Sequence, residues 1–163
     1  LDPDHITIAF LVDHIGYAKV LGLFRSARGS YRFDEATATL SDVRIEVETA
    51  SVFSNQRKRD EHLKGSDFFD VGKFPKLTFK STKIEKAGAQ LKITGDMTIH
   101  GVTKPVVLDV TFNGSGPGMN PLQTRAGFSA TTTIKRSEFG VGKYVPLVGD
   151  DVTLNIEVEF QKK

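Results

Sequence analysis

The chain has 163 residues, of which 39% are hydrophobic and 26% charged, with 22 Lys and Arg against 20 Asp and Glu and no cysteine. Such a length supports a full core and reads as one soluble globular domain over residues 1–163. The missing cysteine excludes disulfides, zinc–thiolate sites, iron–sulfur clusters and thiol nucleophiles. The interspersed net charge of +2 leaves no nucleic-acid footprint.

Taken in chain order, the dominant rhythm has period two, the mark of half-buried strands. Ile6, Ile8, Phe10 and Val12 open it. Gly16 to Arg25 reads as containing a turn of helix, and Gly29 to Phe33 as a strand. Val43, Ile45 and Val47 alternate with Arg44, Glu46 and Glu48, with Thr49 and Ser51 continuing the apolar face. Asn55 to Lys64 reads as a short charged helix capped by Ser54 or Asn55. Strands follow around Leu77 and Phe79, from Leu91 to Ile99, and from Val106 to Phe112. Two more run from Phe128 to Ile134 and from Val152 to Phe160, with a helical turn at Ser137 to Gly140. Lys86 to Gly88, Asn113 to Pro121 and Val148 to Asp150 read as turns or loops. About eight evenly spaced antiparallel strands with one or two short helices predict an all-β sandwich or closed barrel. A strand from Val43 to Val52 would span roughly 33 Å, enough for a tall wall around a packed core or one small ligand.

Conventional chemistry is hard to place. The four histidines, His5, His14, His62 and His100, show no HxH or HxxxH spacing, so no metal site is expected. His14 is in phase with Ile8, Phe10 and Val12, either as a buried hydrogen-bonding residue or as a contact for a ligand headgroup. No Gly-x-Ser-x-Gly elbow and no phosphate loop occurs. Asp150 and Asp151 read as solvated turn carboxylates. The helix Arg57-Lys58-Arg59-Asp60-Glu61 is either a solvated face with local ion pairs or a basic lip. Asp60 and Asp67 read as loop anchors. Twelve phenylalanines with three tyrosines and no tryptophan fit either a packed core or a wide apolar tunnel. In-phase small residues (Thr49, Ser51, Gly95, Ala130 and Thr132) leave room for the tunnel.

Several segments together resemble one known family. They are Asp4-His5 through His14 and Gly16, Gly22-x-Phe24, Arg59-Asp60-x-His62-Leu63 and Asp67-Phe68-Phe69-Asp70. Phe74-Pro75-x-Leu77-x-Phe79-x-Ser81, Gly95-x-Met97-Thr98-Ile99-x-Gly101-Val102-Thr103-x-Pro105-Val106 and Arg136-x-x-Phe139-Gly140 complete the pattern. In this the chain is similar to the YceI-like family, with modest departures at Ile6, Met97 and His100.

The resemblance implies an extended, lipocalin-like antiparallel barrel that holds a polyisoprenoid, either ubiquinone of octaprenyl length or a polyprenyl pyrophosphate. It implies a periplasmic or secreted protein, monomer or dimer, that carries or stores the lipid or serves quinone-linked electron transfer. A cytochrome b561-type membrane protein is the implied redox partner. The chain opens at Leu1 rather than Met, which we read as a removed signal peptide or a domain cut from a longer protein. No transmembrane segment, metal or catalytic residue is expected, since no window approaches about 18 apolar residues and no acid–base pair stands out. The competing readings are an enzyme acting on an isoprenoid and a packed barrel serving as an interaction module. The expected tunnel is open at one end. Phe10, Val12, Phe24, Phe33, Ile45, Val47 and Phe53 would line its first half. Phe68, Phe69, Phe79, Ile93, Met97 and Ile99 would follow, then Leu108, Val110, Phe128, Ala130, Ile134 and Phe139. His14, Arg57 and Arg59 are the headgroup candidates. A quinone carbonyl needs one donor and a pyrophosphate several, so the single interior donor favours ubiquinone.

Overall fold

The computed structural model describes residues 1–162. In chain order its strands are β1 (Ile6–His14), β2 (Ala18–Phe24), β3 (Ala27–Asp34), β4 (Thr39–Glu48) and the short β5 (Val52–Phe53). The helix α1 (Arg57–Lys64) follows, then β6 (Lys76–Ala87), β7 (Gln90–Ile99), β8 (Val102–Pro117), β9 (Thr124–Lys135) and β10 (Val148–Gln161). They form one curled antiparallel sheet in the order β3-β4-β6-β7-β8-β9-β10-β1-β2-β5. This is the expected all-β, lipocalin-like architecture, with ten strands in place of about eight.

Period two survives folding because each ladder keeps its register. Phe10 pairs with Leu154 on β10 and with Gly22 on β2, so these side chains share the inner face. Along β7, Leu91, Ile93, Met97 and Ile99 are all buried while Lys92 and Asp96 are exposed.

Five local readings change. Gly16 to Arg25 carries no helix. Its residues 18–24 form β2, where the glycine at 22 interrupts an apolar alternation that would otherwise have been visible. Thr49 to Ser51 is a 3₁₀ turn that ends β4, and buried Thr49 donates to the Phe74 carbonyl at 2.8 Å. The helix cap is Gln56, whose side chain accepts from the Arg59 N–H. Val148 to Asp150 begins β10, and β8 continues to Pro117 across a bulge between Phe112 and Gly114, so of the expected loop Asn113–Pro121 only residues 118–121 lie in the turn before β9. The bulge adds the residue that lets this strand bend.

The connection between β2 and β3 is tied to the turn before β5 and to the end of β4. The Ser51 hydroxyl accepts from the Arg25 and Ser26 N–H groups, both at 3.1 Å, and the Glu48 N–H donates to the Ser26 carbonyl. Farther along β3 the Tyr31 ring packs edge-on against Phe160 of β10 and Phe128 of β9, with centroids 4.8 and 5.5 Å away.

Two apolar clusters fill the inside. One gathers Phe79, Ile93, Met97, Leu108, Ile134 and Phe139 with their neighbours; the other gathers Ile8, Phe10, Phe24, Val47 and Val52. Ile45, Phe69, Leu77, Val152 and Leu154 pack against both, yet remain only half-buried. They border open interior space. Two glycines help to create it. A Cβ on Gly22 would lie 2.0 Å from Phe10 Cζ, and one on Gly95 would lie 2.4 Å from Phe79 Cζ and 2.6 Å from the Lys80 carbonyl. Each ring therefore lies flat over the next strand instead of projecting into the lumen.

The end of the molecule opposite α1 is fastened by an ionic latch. Buried Asp2 accepts from Arg125, from Gln161 Nε2 at 3.1 Å and from the Asp4 N–H at 3.1 Å, with His5 Nδ1 2.9 Å away. Arg125 also donates to Glu159 at 2.8 Å. The His5 contact first, then the Asp4, Gln161 and Arg125 bonds, hold the Asp2 carboxyl well below the usual carboxylate range despite its burial. Its folded value lies below its unfolded value, so its contribution is complete above about pH 4 and is lost as the pH falls further. Asp2→Asn is expected to flatten the acid limb of the stability curve between about pH 4 and 2, read from urea midpoints across pH. An unchanged acid limb would remove Asp2 from this role.

Candidate functional site

Two cavities occupy the interior. One, of about 410 Å³, lies under α1 at the end where β1 finishes and β10 begins. The other, of about 1150 Å³, lies toward the opposite end, and its rim carries Arg28, Glu35, Arg44, Glu46, Lys80, Lys86, Arg125 and Lys162. Ile45, Thr78 and Phe79 border both. The two cavities therefore adjoin along the inside of the sheet at these three residues.

The first cavity is walled by apolar side chains from both halves of the sheet. Of the expected residues, Phe10, Val12, Phe24, Ile45, Val47, Phe68 and Phe69 line it, as do Phe79, Met97, Ile99, Leu108, Ile134 and Phe139. Phe33 and Phe128 line the second cavity. Four belong to neither. Ile93 and Val110 are fully packed in the core, and Ala130 packs against that core. Phe53 lies on β5 with the Arg25 guanidinium 5.2 Å above its ring. Their strands and faces were legible, but depth in the wall depends on how the sheet curls. Ile8, Val20, Leu63, Leu77, Val152, Leu154 and Ile156 also line the first cavity. The β10 trio alternates cleanly in the sequence, so that signal was available.

A folded cap covers the cavity. The Ser54 N–H and hydroxyl donate to buried Asp60 at 2.7 and 2.5 Å, and Arg59 donates to the Ser54 hydroxyl and carbonyl. After α1 the chain doubles back. The Phe69 N–H donates to the Leu63 carbonyl at 2.9 Å, which drops the Phe69 ring against Phe24, 5.4 Å between centroids. His62 Nε2 lies 2.8 Å from Asp67 Oδ2. That contact, with Lys143 close by, holds the Asp67 carboxyl below its ordinary range.

The other lip, residues 140–149, is held by Arg136. This buried guanidinium donates to the carbonyls of Gly149, Val141, Lys143 and Val148 at 2.6–2.9 Å. Burial pushes its pKa down, with no carboxylate bonded to it. Asp150 stands beside this lip in β10. Burial raises its carboxyl pKa, but the Ser137 N–H and hydroxyl, both donating to it, outweigh that and keep it low.

Most polar groups around the cavity are therefore committed to holding its shape. Among the described residues, the side chains of His14, Thr78 and Tyr144 line it without a hydrogen-bond partner. His14 is exposed at the rim, beyond a bulge between Val12 and His14, and is not a buried hydrogen-bonding residue. Arg59 reaches the cavity; Arg57 is exposed on the outer side of α1. Elsewhere, Asp2, His5 and Glu159 bring potential metal-ligating atoms within 4.8 Å of one another, but the Arg125 guanidinium already bonds both carboxylates.

A YceI-like domain matches residues 1–160. The chain belongs to the YceI-like family. It is 38% identical over 162 residues to a UPF0312 protein of Pseudomonas savastanoi pv. phaseolicola, covering 98% of this chain and 82% of that one. The YceI fold is shared with the Campylobacter jejuni YceI protein, whose crystal structure superposes with a TM-score of 0.83 at 36% identity over 93% of this chain and 90% of that chain. A polyisoprenoid binding domain from Saccharophagus degradans implicated in plant cell wall breakdown has the same fold, with a TM-score of 0.70 at 10% identity over 97% and 94% of the two chains.

Proposed function

We propose that this YceI-like chain binds one long isoprenoid lipid, with the apolar tail in the cavity under α1 and the headgroup at its rim. The observation that carries the reading is the 410 Å³ apolar cavity, within the range of about 300–1,000 Å³ usual for small-molecule sites. It lies in a fold shared with a polyisoprenoid binding domain. Each methylene removed from water contributes about 0.8 kcal/mol, so a tail of several isoprene units supplies ample affinity in water. A bilayer offers the same gain, which makes exchange with membranes nearly neutral. A tail longer than this cavity continues past Ile45, Thr78 and Phe79 into the adjoining one.

The rim favours a quinone over a pyrophosphate. A pyrophosphate needs several converging cationic donors, whereas Arg59 and Arg136 are already bonded to Ser54 and to the lip carbonyls. His14 and Tyr144 remain for a quinone carbonyl. Polar groups committed to holding the cap and the lip, with His62 held by Asp67, support a carrier or store over an enzyme. The same reading places the protein in the periplasm or outside the cell, beside a quinone-linked membrane redox protein. Organic extraction of protein purified from its native host, followed by mass spectrometry, is expected to yield close to one quinone-headed isoprenoid per chain. Extracts free of isoprenoid would overturn the reading; a pyrophosphate headgroup would overturn only the quinone preference.

A further inference from the structure

The rim of the α1-side cavity carries apolar side chains that point into solvent. Ile15 is 45% exposed, Tyr17 88%, Tyr144 47%, Val145 37% and Leu147 66%. They come from two segments that touch, because the Ile15 N–H donates to the Leu147 carbonyl at 2.8 Å and His14 pairs with Val148. His14, Tyr144 and Val148 also line the cavity, so the apolar surface runs without a break from the outside into the lumen. Ile15 adopts φ of 47°, a left-handed conformation that is costly for a β-branched residue and cheap for Gly or Asn. The turn thus holds a large aliphatic side chain outward at a position that suits neither its backbone nor water.

We propose that this rim docks onto an anionic lipid bilayer, so that cargo passes between membrane and cavity without crossing water. Tyrosine and aliphatic residues beside cations are the composition of surfaces that settle at the headgroup level. The charges fit. The acids next to the rim, Asp13, Glu61 and Asp67, are each near a lysine, at 4.0 Å from Lys19, 3.6 Å from Lys64 and 3.6 Å from Lys143. Arg57 and Lys58, exposed on α1, have no partner among the described residues and remain for anionic headgroups. The far end offers a poorer match. It exposes Phe33 and Phe112 beside its cavity and Met119 and Leu122 on a hairpin tip, but Arg28, Arg44, Arg125 and Lys162 around it are each engaged in an ion pair with an acid. The advantage of docking rests on the lipid-carrier reading; the docking itself is measurable without cargo.

The test is flotation with cargo-free vesicles of phosphatidylcholine containing phosphatidylglycerol, alongside transfer of ubiquinone between two vesicle populations. The unaltered chain is expected to float with the anionic vesicles, less so at high salt. The pair Tyr17→Glu with Leu147→Glu is expected to reduce flotation and transfer rate about tenfold, while leaving thermal unfolding unchanged. Met119→Glu with Leu122→Glu, at the far end, is expected to retain both. Failure of the unaltered chain to float would overturn the proposal. So would a far-end pair that loses flotation while the rim pair keeps it. Flotation that follows the rim pair in a protein yielding no isoprenoid on extraction would uphold docking and sink the cargo reading instead.

Discussion

Arg136→Leu is expected to destabilise the fold by about 3 kcal/mol or more, through four carbonyls left without their donor. A hydrogen bond to a charged group contributes about 1.5–3 kcal/mol, and such contributions within one network do not simply add. Water at the rim recovers part of the loss. Arg136→Lys keeps the charge but presents three donors around one point, which cannot span carbonyls at positions 141, 143, 148 and 149. It should recover less than half the loss. Urea midpoints with an unchanged slope are the measure. A cost below about 1 kcal/mol for the Leu variant would mean that packing around Phe139 and Val141, not the guanidinium, holds the lip.

Leu154→Trp is expected to lower isoprenoid loading at least tenfold while changing stability by less than about 1.5 kcal/mol. Leu154 is anchored between Phe10 of β1 and Thr132 of β9, so its side chain has one direction available. It borders the cavity and is only half-buried, which leaves the larger ring open space to enter. An indole there displaces at least two methylenes of a bound tail. At about 0.8 kcal/mol each, that exceeds the 1.4 kcal/mol that a factor of ten requires. Thr153→Trp, one residue along and facing out, is the control. Equal loading in both variants, measured by mass spectrometry of extracts, would place the lipid elsewhere. Ala130→Trp would not serve, because Ala130 packs on the core without reaching either cavity.

Strand identity and facing were legible because period-two alternation is a local property. Ile8-Phe10-Val12, Leu91-Ile93 and Val152-Leu154-Ile156 each reveal an inner face before any fold is known. Motif resemblance along nearly the whole chain pointed to the family. Where glycine breaks the alternation, as at Gly22 in β2, the local signal fails and only pairing with Phe10 explains the residue. Where the open space lies along the inside of the sheet was not legible. It depends on the Phe10 and Phe79 rings lying over glycines of neighbouring strands and on how far the sheet curls. The lip was equally hidden. Val141, Tyr144 and Leu147 lie in a segment without periodicity, placed by an arginine whose partners are backbone carbonyls and so leave no trace in side-chain type. Alternation set by the chain determined which residues face inward; the curvature and the long-range hydrogen bonds decided which of them meet empty space and which meet one another.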